Sequence, residues 1–264
     1  MNLRILLTIS FILSAYLMSA QSPTLQRGSY VGLTGGVGTV WIIGQHNYGI
    51  TKLSAVAHNA YTGGFVGGIT FKRGHGIHGE LLFSTQKHDY RDTRYIDGQD
   101  RKAIVGKQLD FKYLRIPVTY RKIIGIRNGD ADIGDSNFFW GAGIDTGVLY
   151  DVQLDYTVNG KSDDRFVFTR EFNPNVRFPP YDDHILFNSI DVALTGSFGW
   201  EHFLTQHLVF QAEIKETISI FDINDAEWRI TDDSGKYTSS HHKTLHFKCS
   251  LIYYVNKVKR LDVY

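Results

Sequence analysis

Phe138-Phe139-Trp140-Gly141-Ala142-Gly143-Ile144-Asp145-Thr146-Gly147-Val148-Leu149 alternates between two kinds of side chain. Trp140, Ala142, Ile144 and Val148 share one parity, and Gly141, Gly143, Asp145 and Gly147 share the other. Successive side chains of an extended strand point to opposite faces, so this stretch reads as a strand with one greasy face and one small or polar face. The pattern recurs. Val31, Leu33, Val37 and Trp41 stand opposite Gly32, Thr34, Gly36 and Gly38; Val192, Leu194, Phe198 and Trp200 stand opposite Asp191, Thr195, Ser197 and Glu201. Leu245, Phe247, Leu251 and Tyr253 stand opposite His246, Lys248 and Ser250.

Eight strands are predicted, at Tyr30 to Ile42, Gly63 to Lys72, Ile77 to Gln86, Leu109 to Lys122, Phe138 to Leu149, Ser189 to His202, Leu208 to Ile220 and Thr244 to Val255. Their connections alternate in length. Arg73-Gly74-His75-Gly76 and Phe203-Leu204-Thr205-Gln206 are short and Ile123 to Asn137 is intermediate. Ile43 to Thr62, Lys87 to Gln108, Tyr150 to Asn188 and Phe221 to Lys243 are long. An even number of antiparallel strands, short turns at one end and long loops at the other predict an all-β, eight-stranded, up-and-down transmembrane β-barrel, with short periplasmic turns and long extracellular loops.

The first twenty residues fit that destination. Arg4, the apolar run from Ile5 to Leu17 and the small-residue end Met18-Ser19-Ala20 read as a secretory signal peptide, leaving 21–264 as the barrel domain in the cell outer membrane. The apolar run is shorter than the roughly 20 residues of a spanning helix. With 28 Lys+Arg against 27 Asp+Glu the net charge is +1, which offers no field for nucleic acid. The single cysteine, Cys249, excludes an intramolecular disulfide framework, so a core or a bilayer must stabilise the chain.

A charge facing lipid at the midplane costs roughly 2 to 4 kcal/mol, so the parity that gathers charges points into the lumen. That rule predicts a luminal network of Glu80, Arg115, Arg121, Asp145, Asp191, Glu201, Glu213, Lys215 and Lys248, with His246 beside them. Both signs occur in similar number, so the network reads as a structural plug of paired charges rather than an ion path. An eight-stranded barrel is just wide enough to be filled by side chains. Two positions depart from the rule. Asp110 and Lys112 share parity with Leu114, Ile116 and Val118, which a β-bulge near Tyr113 reconciles, and Glu216 falls on the greasy face, tolerable at the outer rim.

Phe111-Lys112-Tyr113-Leu114-Arg115-Ile116-Pro117-Val118-Thr119-Tyr120 resembles the Tyr-Leu-x-Ile-Pro strand of the PorT-like outer-membrane β-barrel proteins. The resemblance covers the mature chain in architecture and ten residues in motif. It implies the barrel fold and, through the secretion and gliding component that names the family, an accessory role in protein secretion or envelope assembly.

The loops carry the remaining candidates. Asn159-Gly160 between Tyr156-Thr157-Val158 and Arg165 to Thr169 is a hairpin signal, as is Asp232-Asp233-Ser234-Gly235. The third loop holds Pro174, Pro179 and Pro180 with five aromatics, the composition of a contact surface or of a cap over the barrel mouth. His241 and His242 are adjacent and so point to opposite sides of an extended chain, and Asp130, Asp132 and Asp135 lack the closing glutamate of a calcium loop. Neither group is assigned a metal, and no cofactor is expected. The expected partners are outer-membrane lipid and another envelope or secretion protein reached through the loops. Two alternatives remain: a soluble exported barrel of lipocalin type with its apolar parity inward, and a lipid-modifying enzyme using His58, Asp183, His184 or Ser189.

Overall fold

The computed structural model describes residues 28–43, 54–56, 58–71, 74–95, 102–124, 134–159, 161–162, 187–226 and 237–255. Eight strands form the wall: β1 (Ser29–Ile43), β2 (His58–Thr70), β3 (His75–Tyr95), β4 (Lys102–Ile124), β5 (Ser136–Val158), β6 (Ile190–Phe203), β7 (Leu208–Ser219) and β8 (His241–Tyr254). Each pairs antiparallel with the next, and β1 pairs with β8, so the sheet closes.

Closure carries a stagger. The pairing runs from Val31 through Gly67, Gly79, Val118, Ile144, Leu194, Ile218 and Lys243, and it returns to β1 at Trp41, ten residues beyond its start. Strand number and stagger together fix the tilt and the bore, here one that side chains can fill.

The short connections share one end. Phe71 N–H donates to His75 O across the β2–β3 turn, where Gly74 takes φ 72°. In the β6–β7 turn the Thr205 hydroxyl oxygen accepts the N–H groups of His207 and Leu208.

At the other end β3 and β4 stay paired to Tyr95↔Lys102, across a stretch that alternation alone reads as loop. Tyr90 to Arg94 carries mostly polar side chains, so a ribbon rising clear of the greasy belt leaves no period-two signal. Asn159, at φ 51°, turns β5 back so that Val158 pairs Lys161 and Thr157 pairs Ser162, the hairpin expected there. This segment and Ser54–Val56, which pairs with β3, extend the ribbons, and the wall count stays at eight. Residues 1–20, 163–186 with the three prolines, the Asp232 to Gly235 turn and 256–264 lie outside the described residues.

The greasy parity faces outward. Val31, Leu33, Phe65, Leu194 and Phe247 are exposed on the wall, while Glu80, Arg115, Glu201 and Lys248 are buried inside. This orientation rules out the lipocalin-type carrier, which needs the apolar parity within. The irregularity near Tyr113 sits on the neighbouring strand: the register shifts between Lys112 and Tyr113 because Tyr150 is an extra residue in β5. Along β4 the facing never slips, with Leu109, Phe111, Tyr113, Arg115, Thr119 and Arg121 all buried. The outward Asp110 and Lys112 mark where β4 leaves the apolar belt. Glu216 is not at the rim, since Ile218 and Ile220 continue the exposed apolar run beyond it.

Replacing Ile144 with Lys places a charge in the middle of the belt. It is expected to lower the unfolding free energy in phospholipid vesicles by about 2–4 kcal/mol, read by denaturant titration of tryptophan fluorescence, with Lys112→Ala close to neutral as the comparison outside the belt.

Candidate functional site

The interior is built in layers because each strand contributes every second residue to it. At the short-turn end Tyr30, Val66, Phe203, Val209, Ile252 and Tyr254 form a buried apolar cluster. Next to it the Tyr30 hydroxyl lies 2.8 Å from His78 Nδ1, and His78 Nε2 lies 3.0 Å from Glu80 Oε1. A carboxylate only accepts, so His78 Nε2–H donates to Glu80.

Glu80 is the hub of the polar layer. Lys215 Nζ donates to its Oε1 at 3.2 Å, and Lys248 Nζ donates to its Oε2. Arg121 donates to Gln211 Oε1 at 2.9 Å and Glu213 Oε2 at 3.3 Å, and its guanidinium stacks 4.1 Å from the Phe139 ring centre. Gln211 and Asn137 in turn donate to Glu201 at 3.2 and 3.1 Å. Arg115 joins Asp145 at 3.0 Å and Asp191 at 2.9 Å.

Glycines make room for these long side chains. A Cβ on Gly36 would stand 2.6 Å from Lys248 Cγ, and one on Gly68 would run into the Tyr30 ring. The glycine parity of β1 and β2 is thus the socket for the charged parity of β8 and for Tyr30.

Toward the long loops a second apolar cluster closes the interior, with Ile42, Leu109, Phe111, Tyr113, Leu149, Val152, Phe187 and Ile223. The Tyr113 hydroxyl lies 3.2 Å from His242 Nε2, and the His242 ring packs on Phe111 and His88. Chain from the third and fourth loops folds over this mouth. Phe187 bridges to Asn224, Asn188 Nδ2 donates to the carbonyls of Asp222 and Asn224, and Asp222 Oδ1 accepts the N–H groups of Asn224 and Ser240.

All nine charged residues assigned to the lumen by parity are buried on the inner face, and these bonds join them into clusters. Tyr30, His78, Gln211, Phe139 and His88 also belong to the packing. The same parity reaches them, but a search for charges alone passes over them. His241 and His242 diverge: His241 Nε2 meets Ser239 Oγ at 3.0 Å outside the luminal cluster that holds His242. Cys249 is half-buried on the outer parity of β8. His58 borders a cavity of about 250 Å³ with Lys87, His88, Gln108, Asp110 and Gln153, and Ser189 is not among its lining residues. Asp130, Asp132, Asp183, His184, Asp232 and Asp233 lie outside the described residues. Among the described residues no group of three or more His, Cys, Asp or Glu is arranged to hold a metal.

An apolar exterior around a charged interior is the polarity of a barrel that spans a bilayer. No family model matches the chain, and no curated protein matches it. Among solved structures, the outer membrane protein OprG from Pseudomonas aeruginosa aligns at 12% identity over 88% of this chain and 98% of its own, with a TM-score of 0.43. Neisserial surface protein A aligns at 9% identity over 85% and 97%, with a TM-score of 0.40. The attachment invasion locus protein Ail of Yersinia pestis aligns at 11% identity over 86% and 99%, with a TM-score of 0.33.

Glu80→Gln leaves Lys215 and Lys248 without their shared carboxylate. It is expected to cost about 3–5 kcal/mol of unfolding free energy in vesicles, whereas replacing Glu80, Lys215 and Lys248 together by Met is expected to cost less than the single change.

Proposed function

We propose that this chain is an outer-membrane β-barrel protein with a structural or partner-binding role, exercised at its long-loop end in envelope assembly or protein secretion. One observation carries the reading: buried ion pairs cross the lumen between two apolar clusters. Conduction needs sites that an ion can enter and leave, and every charged residue of this plug is held by fixed neighbours. The outer wall and the long-loop end offer surfaces to a second molecule.

The ribbons support the rest. β3 with β4, and β5 with its hairpin at Asn159, carry strand pairing beyond the apolar belt. Residues 1–20 supply the export signal that the outer membrane requires, and the PorT-like segment around Pro117 is the ground for naming secretion or envelope assembly. The role is non-enzymatic.

Two measurements test this. Full-length protein from sarkosyl-washed outer membranes is expected to run faster unboiled than boiled; recovery in the soluble fraction with no shift would overturn the membrane assignment. Reconstituted in planar bilayers, it is expected to give no steady ionic current, and sustained open-channel steps would overturn the plug.

A further inference from the structure

Glu216 breaks the polarity of the wall, and its surroundings say what it is for. On β7 the outward residues run Leu208, Phe210, Ala212, Ile214, Glu216, Ile218 and on to Ile220, so the carboxylate has exposed isoleucines on both sides. Across the wall its neighbours are Leu245 on β8 and Gly196 on β6. An ionisable group at this depth is costly and marks a functional surface together with its partner.

The partner is Lys243, whose Nζ lies 2.9 Å from Glu216 Oε1 and 5.6 Å from the centre of the Trp41 ring. The pair is not sealed by the barrel, since the two side chains keep 28% and 47% of their surface. One contact uses one of about four carboxylate acceptor positions, and the hydrocarbon beside Glu216 can serve none of the others.

The shape around the pair is a ridge between two troughs. Ile214, Glu216 and Ile218 stand between a groove of about 720 Å³ with a floor at Ala142 and Gly196 and one of about 570 Å³ beside Gly38 and Thr39. A Cβ on Gly196 would meet nothing within 4 Å, so the floor of the larger groove is open outward.

We propose that this face is the interface of a two-fold symmetric homodimer within the membrane. The inference rests on the membrane-spanning reading above. All copies of a barrel insert in one direction, so a two-fold axis along the membrane normal brings each residue to its counterpart at equal depth. The carboxylate and ammonium are within hydrogen-bond reach of each other and so share a depth, which sets Glu216 of each copy against Lys243 of the other. A single isologous contact then completes the hydrogen-bonding positions of the pair that lipid leaves empty.

Charge exchange tests this. Full-length protein is purified in density-matched detergent and its mass followed by sedimentation equilibrium, with heat-shifted gel mobility as the check on folding. The folded wild type is expected to sediment as a dimer. Glu216→Lys and Lys243→Glu alone are each expected to raise the dimer dissociation constant at least about tenfold, and an equimolar mixture of the two variants to recover dimers, since one copy then presents only cations and the other only carboxylates. Gly196→Trp fills the groove beside Glu216 while keeping both charges and is expected to give a folded monomer. A folded wild type that stays monomeric, with or without a co-purifying lipid on the groove, overturns the dimer and leaves the membrane assignment standing. Single variants that dimerise as well as the wild type also overturn it. A chain found outside the membrane with no heat shift removes both.

Discussion

A backbone amide in hydrocarbon has no water to turn to, and the pairing of β1 with β8 removes the last free edge from this sheet. The rest of the molecule depends on that closure. It fixes eight wall strands, and with the ten-residue stagger from Val31 to Trp41 it fixes the bore. A narrower wall would expel the luminal side chains, and a wider one would leave them separated and hydrated.

Within that bore, volume and charge are matched across strands far apart in sequence. β1 and β2 contribute Gly36, Gly38, Gly64 and Gly68 to the inner face, and β8 fills the space left by the first two with Lys248 and His246. Lys248 then reaches Glu80, which also holds Lys215 and His78. Buried pairs of this kind contribute little net stability against well-packed apolar residues, because desolvation offsets most of the attraction. The pairs join strands far apart in sequence, Glu80 of β3 to Lys215 of β7 and Lys248 of β8.

The two ends differ because their chemistry differs. At the short turns the wall stops at the apolar belt and a few hydroxyl and backbone bonds complete it. At the long-loop end β4 changes character where it leaves the belt, with Asp110 and Lys112 outside and Leu109, Phe111 and Tyr113 inside. The barrel therefore acquires an apolar core of its own beyond the belt, and Phe187 and Ile223 from the covering loops join it. The described segments of these loops are thus attached to a packed core.

The alternation of the sequence determined the existence of all eight wall strands, the membership of each face except at Asp110 and Lys112 of β4, and the gathering of charges inside, because period two is a local property that each strand carries alone. It also marked the Asn159 hairpin, since that turn needs a residue that tolerates positive φ. Only the tertiary structure decided which cation meets which carboxylate: Glu80 bonds residues 135 and 168 positions away, and no local pattern encodes such a meeting. It also placed the bulge at Tyr150 of β5 instead of in β4, drew out the β3–β4 ribbon and set Glu216 within the belt. Each of these follows from register and stagger, which belong to the closed barrel as a whole and to no single strand.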